Sequence, residues 1–247
     1  MSPDASLLAG QIARQIEGSG PISVAEYMRQ ANATYYSNGD PFGVAGDFIT
    51  APEISQMFGE LVGMWLTDLW MRQNRPEACH YVELGPGRGT LAVDALRAMA
   101  RFDFSPGVQF VETSDTLRTK QRQAVPQASF VDNIDALPSD APLLIVANEF
   151  FDALPIRQVV ATHSGWREQV VVRGGDGFAV VPGTYKMDDQ VPAEFRNAPT
   201  GSIFESSPDA ANITYALATR LAKQGGALLV IDYGYSQPSL GSTLQAV

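Results

Sequence analysis

The sequence has few of the side chains on which covalent and metal catalysis depend. Among its 247 residues there is one cysteine, Cys79, and only two histidines, His80 and His163. A disulfide within the chain and a metal site built from cysteines are therefore excluded. His80 immediately precedes a predicted strand and His163 lies in a predicted turn, so a catalytic Ser-His-Asp or Cys-His arrangement is disfavoured.

The sequence is also poor in positive charge and in long apolar runs. It has 17 Lys and Arg against 27 Asp and Glu, a formal net charge of -10. Nucleic acid is not an expected partner because phosphate contacts need Lys and Arg. A cationic partner is compatible with the charge, although solubility alone also explains it. No segment is long enough to span a membrane, and the first 18 residues resemble neither a secretory signal nor a transit peptide.

The order of apolar segments predicts an α/β fold. From residue 80 onward strands alternate with helices, which indicates a parallel sheet with right-handed crossovers. The predicted strands are 81–84, 108–112, 129–131, 143–147 and 227–232, and the predicted helices between them are 90–100, 115–124 and 208–223. Valine-rich runs between residues 156 and 183 are separated by glycine turns and predict two or three antiparallel strands.

The first 75 residues are predicted to be mainly helical. Apolar residues at helical spacing indicate a helix from Leu7 to Ile16. Capping boxes at 23–26 and 50–53 predict helices that end near Ala31 and Arg72. The glycine-rich stretch 32–49 between them has no periodicity and is predicted to be a loop, of a length that is uncommon unless it binds something or is disordered.

The run from Tyr81 to Thr90 carries the strongest functional signal. It combines a buried strand, three glycines at alternate positions (Gly85, Gly87 and Gly89) and the start of a helix. The G-x-G-x-G spacing, with Glu83 two residues before the first glycine, is typical of S-adenosylmethionine sites, whereas dinucleotide pyrophosphate sites have G-x-G-x-x-G. Taken by themselves, the three glycines could equally form a tight strand-to-helix turn.

Polar residues follow the next two strands, where ligands of parallel sheets bind. Glu112 could accept hydrogen bonds from both ribose hydroxyls, and Asp132 and Asn133 could contact an adenine edge. Glu112 could equally be an acid at a helix N-terminus. A ribose site also does not separate S-adenosylmethionine from NAD, so a nicotinamide oxidoreductase remains an alternative, although no histidine or Tyr-Lys pair that could handle a hydride is evident.

The segment after the fourth strand is the candidate acceptor site. Many amino-methylating enzymes have Asn/Asp-Pro-Pro-Tyr/Phe here, but this chain has Asn148-Glu149-Phe150-Phe151-Asp152. Two carboxylates, Glu149 and Asp152, suit a guanidinium group because its fork of donors pairs bidentately. Asn148 would support the donor or the acceptor nitrogen. Alternatively, Asp152 caps a turn before Pro155 and Glu149 faces solvent.

Three long strings of residues resemble the MidA-like family, which includes the mitochondrial complex I assembly factor that methylates an arginine of a complex I subunit. They are residues 46–60, 83–91 and 148–155, with shorter matches at 165–166, 205–208 and 231–234. The resemblance implies a class I methyltransferase (Rossmann-like) fold, S-adenosylmethionine as cofactor, a protein substrate methylated on arginine, the glycine loop at Gly85, Gly87 and Gly89, and ribose binding by Glu112. By analogy, Tyr35-Tyr36 and Asp47 to Thr50 would cover the donor.

The resemblance also predicts the domain organisation. Residues 1–75 would form a helical N-terminal segment with a cofactor-covering loop, and residues 76–247 a methyltransferase core with an antiparallel insertion at about 156–205. A class I sheet ends with two further strands, for which the residues after 232 leave little room, so these strands are expected to be missing.

One alternative function and two locations follow from the same residues. The alternative is an assembly chaperone that binds the cofactor but acts by holding a partner through the insertion. The cytoplasm is the expected location, or the mitochondrion if a transit peptide has been removed.

Overall fold

The computed structural model of this chain describes residues 3–38, 50–175 and 177–244. Its contacts divide the chain into two compact units. The first unit comprises Met1–Asn38, Ala153–Ala211 and Gly234–Val247, and the second comprises Gly39–Asp152 and Asn212–Tyr233. The domain boundary at residue 75 that the sequence suggested stays a prediction.

The described residues form helices and strands that follow each other in mixed order. The helices are α1 (Pro3–Ser19), α2 (Val24–Asn38), α3 (Ala51–Ile54), α4 (Gln56–Arg72), α5 (Thr90–Ala100), α6 (Asp115–Ala124) and α7 (Pro208–Gln224). The strands are β1 (Ile22–Ser23), β2 (His80–Leu84), β3 (Gly107–Val111), β4 (Ser129–Val131), β5 (Leu143–Asn148), β6 (Arg157–Thr162), β7 (Gly165–Gly174), β8 (Gly177–Lys186), β9 (Ile203–Ser206) and β10 (Gly226–Ile231). Among these residues no helix is both long and apolar enough to cross a membrane.

The second unit is built on a parallel sheet in the order β10-β5-β2-β3-β4. Its five strands are those predicted from the sequence, with ends that differ by no more than one residue, so the α/β prediction is confirmed. The strands are almost continuously apolar because both faces of the sheet are buried. Tyr81 and Phe110 belong to the core on one face, and Val82 and Ile145 to the core on the other.

Helices cover the two faces of this sheet. Residues of α4 and α5 complete the first core, and Leu217 of α7 is fully buried in the second. The approach of α4 to α5 is close because a Cβ at Gly63 would lie only 2.4 Å from the carbonyl oxygen of Ala95. The strand ends that carry the candidate site are therefore held by a packed framework.

Two helix predictions need correction. The helix after Thr50 is interrupted at Ser55, whose backbone is extended (φ -144°, ψ 117°), and Thr50 occupies the N-cap position without a side-chain hydrogen bond. The capping box fails there because the Glu53 carboxylate accepts a hydrogen bond from the Thr90 hydroxyl at 2.6 Å instead. The preceding helix, α2, runs to Asn38 rather than to Ala31, so residues 32–38 are helical and not part of a loop.

The first unit contains an antiparallel sheet in which β7 pairs with β1, β6 and β8, and β6 also pairs with β9. The predicted strands of segment 156–183 are present, but two distant segments, β1 and β9, join them. Trp166 and Val171 lie in separate apolar clusters of this unit. Residues 232–244 contain no helix or strand, and the missing last strands of the sheet stay a prediction.

Candidate functional site

The candidate site lies where the strand order of the parallel sheet reverses. The chain proceeds from β2 outward to β3 and β4, then returns to place β5 on the other side of β2. Loops at the carboxyl ends of the two strands beside such a switch point form a crevice that binds ligands. Here those loops are the glycine loop after β2 and residues 148–152 after β5, so both predicted halves of the site share one edge.

The glycine loop needs its glycines for conformation. Gly85, Gly87 and Gly89 have φ values of 59°, 56° and 85°. These values lie in the left-handed region, which residues other than glycine rarely adopt. A Cβ at Gly85 would also lie 3.0 Å from Cδ2 of Phe150, which belongs to the neighbouring loop. A side chain at Gly85 would therefore be disfavoured both by the backbone conformation and by the contact with Phe150.

Glu83, at the end of β2, is a buried acid. It is 3% exposed, and the hydroxyl of Tyr81, two residues earlier on the same face, donates a hydrogen bond to its Oε2 at 2.7 Å. Burial raises the pKa of Glu83 to about 8, and the hydrogen bond from Tyr81 only partly opposes this. A cation placed beside the carboxyl would favour its ionised form.

Glu112 follows β3 and is 8% exposed. Its Oε1 accepts hydrogen bonds from the backbone N–H groups of Thr113 and Ser114, both at 2.8 Å, and its Oε2 accepts one from Gln121 at 3.0 Å. The alternative role, an acid at the start of a helix, thus describes its contacts within the chain. Ribose binding by Glu112 stays a prediction.

Two residues of α6 that the sequence did not single out support this acid. Gln121 connects Glu112 to the carbonyl oxygen of Gly87. Arg118 donates to the backbone carbonyl of Glu112 and to Asp132 Oδ1, the latter at 2.6 Å. Spacing alone could have placed both residues on one helix face, but nothing in the sequence showed that this face meets the glycine loop.

The two residues predicted to contact adenine already have contacts within the chain. Asp132 is largely exposed and forms an ion pair with Arg118. The side chain of Asn133 accepts hydrogen bonds from the N–H groups of Asp135 and Ala136 and so caps a short 3-10 helix. Both residues follow β4 at the same edge of the sheet as Glu112, and adenine recognition by them stays a prediction.

The loop after β5 is fixed by the end of β10. Glu149 donates its backbone N–H to the carbonyl of Ile231, and Asp232 Oδ2 accepts the N–H groups of Phe151 and Asp152 at 2.9 and 3.2 Å. Asp232 belongs to one of the shorter strings of the resemblance, but its part in this loop was not predicted. The loop is therefore held by a strand about eighty residues further along the chain.

Glu149 has an unusual backbone and an unusual electrostatic environment. Its φ is 48°, which is costly for a residue with a side chain and is found most often at functional sites. Burial raises the pKa of Glu149, and the nearby carboxylates of Asp152 and Asp232 raise it further. A backbone hydrogen bond from Ala51 acts in the opposite direction.

Three of the predicted site residues lie at the end of β5 or in the loop after it. Glu149 and Asp152 are close enough to interact electrostatically, and Asn148 Oδ1 is buried with no hydrogen-bond partner among the described residues. Thr50 directly precedes Ala51 and so lies near Glu149 in this structure. Of the other residues predicted to cover the donor, Tyr35 and Tyr36 belong to α2, and Asp47 to Ile49 lie outside the described residues.

The described residues fit the donor that the sequence predicted. Three glycines in the left-handed region form the turn after β2, a buried acid stands at each of the first two strand ends, and Asn148 Oδ1 is a buried acceptor without a partner among the described residues. Within the described ranges no group of three or more His, Cys, Asp or Glu residues could hold a metal ion. The fold is that of a doubly wound α/β protein, a class in which ligands bind at the switch point of the sheet.

The comparison with known families is consistent with this class. Residues 61–247 match the family of S-adenosyl-L-methionine-dependent methyltransferases, and the chain belongs to that family. This membership favours the methyl donor over the nicotinamide alternative.

Curated relatives of the chain carry a more specific name. The chain is 37% identical over 268 residues to the Drosophila melanogaster protein named "Protein arginine methyltransferase NDUFAF7 homolog, mitochondrial", a match that covers 92% of this chain and 60% of that protein. It is 35% identical over 261 residues to the human protein arginine methyltransferase NDUFAF7, covering 90% of this chain and 58% of that one. The chain thus spans about three fifths of the length of these relatives.

Two solved structures of Burkholderia thailandensis proteins have the same fold. One, bound to S-adenosyl-homocysteine, has a TM-score of 0.78 at 24% identity and covers 95% of this chain and 65% of its own. The other has a TM-score of 0.73, also at 24% identity, and covers 96% of this chain and 64% of its own. At 24% identity, the similarity to these two structures shows a shared fold and nothing more specific.

Proposed function

We propose that this protein transfers the methyl group of S-adenosylmethionine to an arginine side chain of a protein substrate. The observation that carries the proposal is the group of three carboxylates, Glu149, Asp152 and Asp232, beside the glycine loop. Asp152 and Asp232 both raise the pKa of Glu149, and a cation placed beside Glu149 would favour its ionised form. The names of the relatives that are 33–37% identical agree with an arginine acceptor.

The donor would be held by the first three strand ends. Gly85, Gly87 and Gly89 allow the backbone to approach it closely, Glu83 would face its cationic part, and Glu112 would accept a hydrogen bond from one of its ribose hydroxyls. Asp132 and Asn133 would contact the adenine. When bound, S-adenosylmethionine supplies a methyl group already activated for transfer, so the chain's task is to position the acceptor and accept a proton.

The acceptor would be held by the loop after β5. Glu149 and Asp152 would pair with the guanidinium and leave one nitrogen directed at the methyl group. The raised pKa of Glu149 brings this carboxyl nearer to the working pH, which suits a group that receives the proton released on methylation. Asn148 Oδ1 would accept a hydrogen bond from the donor or from the acceptor nitrogen.

A subunit of respiratory complex I is the proposed substrate, by analogy with the family resemblance. The curated relatives named above are described as mitochondrial. For this chain a cytoplasmic location, or a mitochondrial one after removal of a transit peptide, stays a prediction. The arginine side chain of such a substrate is a cation, with which the net charge of -10 is compatible.

The test is incorporation of tritiated methyl groups from S-adenosylmethionine into dissociated complex I subunits, followed by amino-acid analysis for methylarginine. Glu149→Gln and Asp152→Asn should each lower the rate about 10- to 100-fold, because a hydrogen bond to a charged group contributes about 1.5–3 kcal/mol. Asp140→Asn is the matched control, since Asp140 pairs with His80 at the opposite edge of the sheet.

Three results would contradict the proposal: label on a residue other than arginine, equal rates in the wild type and both site variants, or no incorporation at all. The chaperone alternative predicts a distinct outcome. A subunit would then bind with unchanged affinity to a Gly85→Val variant that has lost donor binding, and no methylarginine would form.

A further inference from the structure

We infer that Gln121 of α6 is a positioning residue that holds Glu112 and the glycine loop in the geometry that receives the donor's ribose. Gln121 is completely buried, and neither the glycine spacing nor the family resemblance assigns it a role. The inference rests on donor binding at the glycine loop, which is part of the proposed function.

The amide nitrogen of Gln121 connects two separate parts of the candidate donor site. Its Nε2 donates to the carbonyl oxygen of Gly87 at 2.7 Å and to Oε2 of Glu112 at 3.0 Å. Both partners are acceptors, so only the NH₂ end of the amide can satisfy them, and this fixes the orientation of the side chain. No single-donor side chain of similar size could make both contacts.

Backbone geometry brings α6 to the loop. A Cβ at Gly89 would lie 3.8 Å from Cα of Gln121 and 3.6 Å from Cβ of Ala124. The loop therefore rests on the last turns of α6, and Gln121 is the residue that ties it there by a side-chain hydrogen bond. The Oε1 of Gln121 is buried without a partner in the described part of the chain. This cost is not expected of a residue whose role is packing alone.

The hydrogen bonds of Glu112 indicate what this arrangement achieves. Two backbone N–H groups hold Oε1 and Gln121 holds Oε2, so three of the roughly four acceptor positions of the carboxylate are used. About one position is left for a ligand hydroxyl. Without Gln121 the carboxylate would lose the contact that fixes its second oxygen, and the Gly87 carbonyl would lose its donor.

The test compares the binding of S-adenosylhomocysteine with that of its 2′-deoxy and 3′-deoxy analogues by calorimetry. Gln121→Met keeps the length of the side chain but removes both donors. We expect it to weaken binding of S-adenosylhomocysteine about 10- to 100-fold. Gln123→Met is the matched control, because Gln123 is an exposed glutamine on the same helix and should bind like the wild type.

The deoxy analogues separate positioning from a structural role. In the wild type, the analogue that lacks the hydroxyl bound by Glu112 should bind more weakly than S-adenosylhomocysteine. In Gln121→Met, the same analogue should bind almost as tightly as S-adenosylhomocysteine. If Gln121→Met weakens all three ligands by the same factor, or none of them, the inference is wrong. The inference is also wrong if the wild type binds all three ligands equally.

Gln121→Glu provides a second variant with nearly unchanged shape. Near neutral pH it places a second carboxylate beside Glu112, so binding should be weak. As the pH is lowered, the introduced carboxyl takes up a proton, which restores one donor, and affinity should rise. A pH profile parallel to that of the wild type would contradict the inference. A wild-type chain that binds none of the ligands would instead refute donor binding itself, and loss of arginine methylation alone would leave the inference intact.

Discussion

Replacement of Glu83 by glutamine tests the electrostatics of the donor site directly. The carboxyl is 3% exposed, and its pKa is raised from 4.5 to about 8 in the folded chain by burial. Glutamine has almost the same shape, can still accept the hydrogen bond from Tyr81 and does not titrate. The difference between the two proteins therefore isolates the ionisation of one group.

The size and sign of the effect follow from linkage. Because the folded pKa lies above the unfolded one, the folded state binds the proton more tightly, and the stability from Glu83 is fully present below pH 4.5. It is lost as the pH rises toward 8, at about 1.4 kcal/mol per pH unit. Over the 3.5 units between 4.5 and about 8 the loss amounts to about 5 kcal/mol.

The assay is urea unfolding of the wild type and Glu83→Gln between pH 4.5 and 8.5. We expect the difference in free energy of unfolding to grow with pH in favour of the variant, and to level off near pH 8. Contributions of all other groups cancel in this difference when they are independent of Glu83. Two parallel profiles would refute the argument, because they would mean that Glu83 is ionised in the folded chain throughout this range.

The same variant should bind the donor less well, since a cation beside Glu83 favours its ionised form. Affinity of the wild type for S-adenosylmethionine should therefore increase with pH up to about 8, with release of a proton on binding at pH 7. The variant should show neither effect. Calorimetry in buffers of different ionisation enthalpy measures the proton release.

Gly85→Ala should abolish donor binding and destabilise the fold by more than the ~1–2 kcal/mol of its left-handed backbone, because its Cβ would also meet Phe150. Gly175→Ala, with a similar φ of 53° and open space around it, is the control that carries only the backbone cost in thermal unfolding. Methyl transfer should fall as the pH is lowered through the raised pKa of Glu149, and Asp152→Asn should shift that fall to lower pH because it removes one repelling charge. An unshifted pH-rate profile in that variant would contradict the second argument.

Local sequence patterns were sufficient for the parallel sheet and its loops. Continuous apolar runs, glycines at alternate positions and polar residues at strand ends are all short-range signals. The antiparallel sheet was predicted only in part because β1 and β9 come from distant segments, and their pairing with β7 and β6 has no local signature. The break at Ser55 was missed because it accompanies a contact between Glu53 and Thr90 that only the folded chain makes.

The residues that hold the candidate site in place were harder to predict than the site residues themselves. Gln121 and Gln123 lie two residues apart in the same polar helix, and nothing local distinguishes the buried one from the exposed one. The difference depends on which helix face meets the glycine loop. Asp232 likewise gains its role only from the pairing of β10 with β5, which places it beside a loop formed much earlier in the chain.

Because Asp232 accepts hydrogen bonds from the loop after β5, the geometry of that loop depends on the register of β10 against β5. In the parallel pairing Ile231 lies opposite Asn148, and Gly226 lies opposite Leu143 at the other end of β10. At Gly226 a Cβ would come within 1.9 Å of the Leu143 carbonyl oxygen, so only glycine keeps the two strands aligned there. The arrangement of carboxylates that would receive a guanidinium is thus set partly by the absence of a side chain about 20 Å away along the strand.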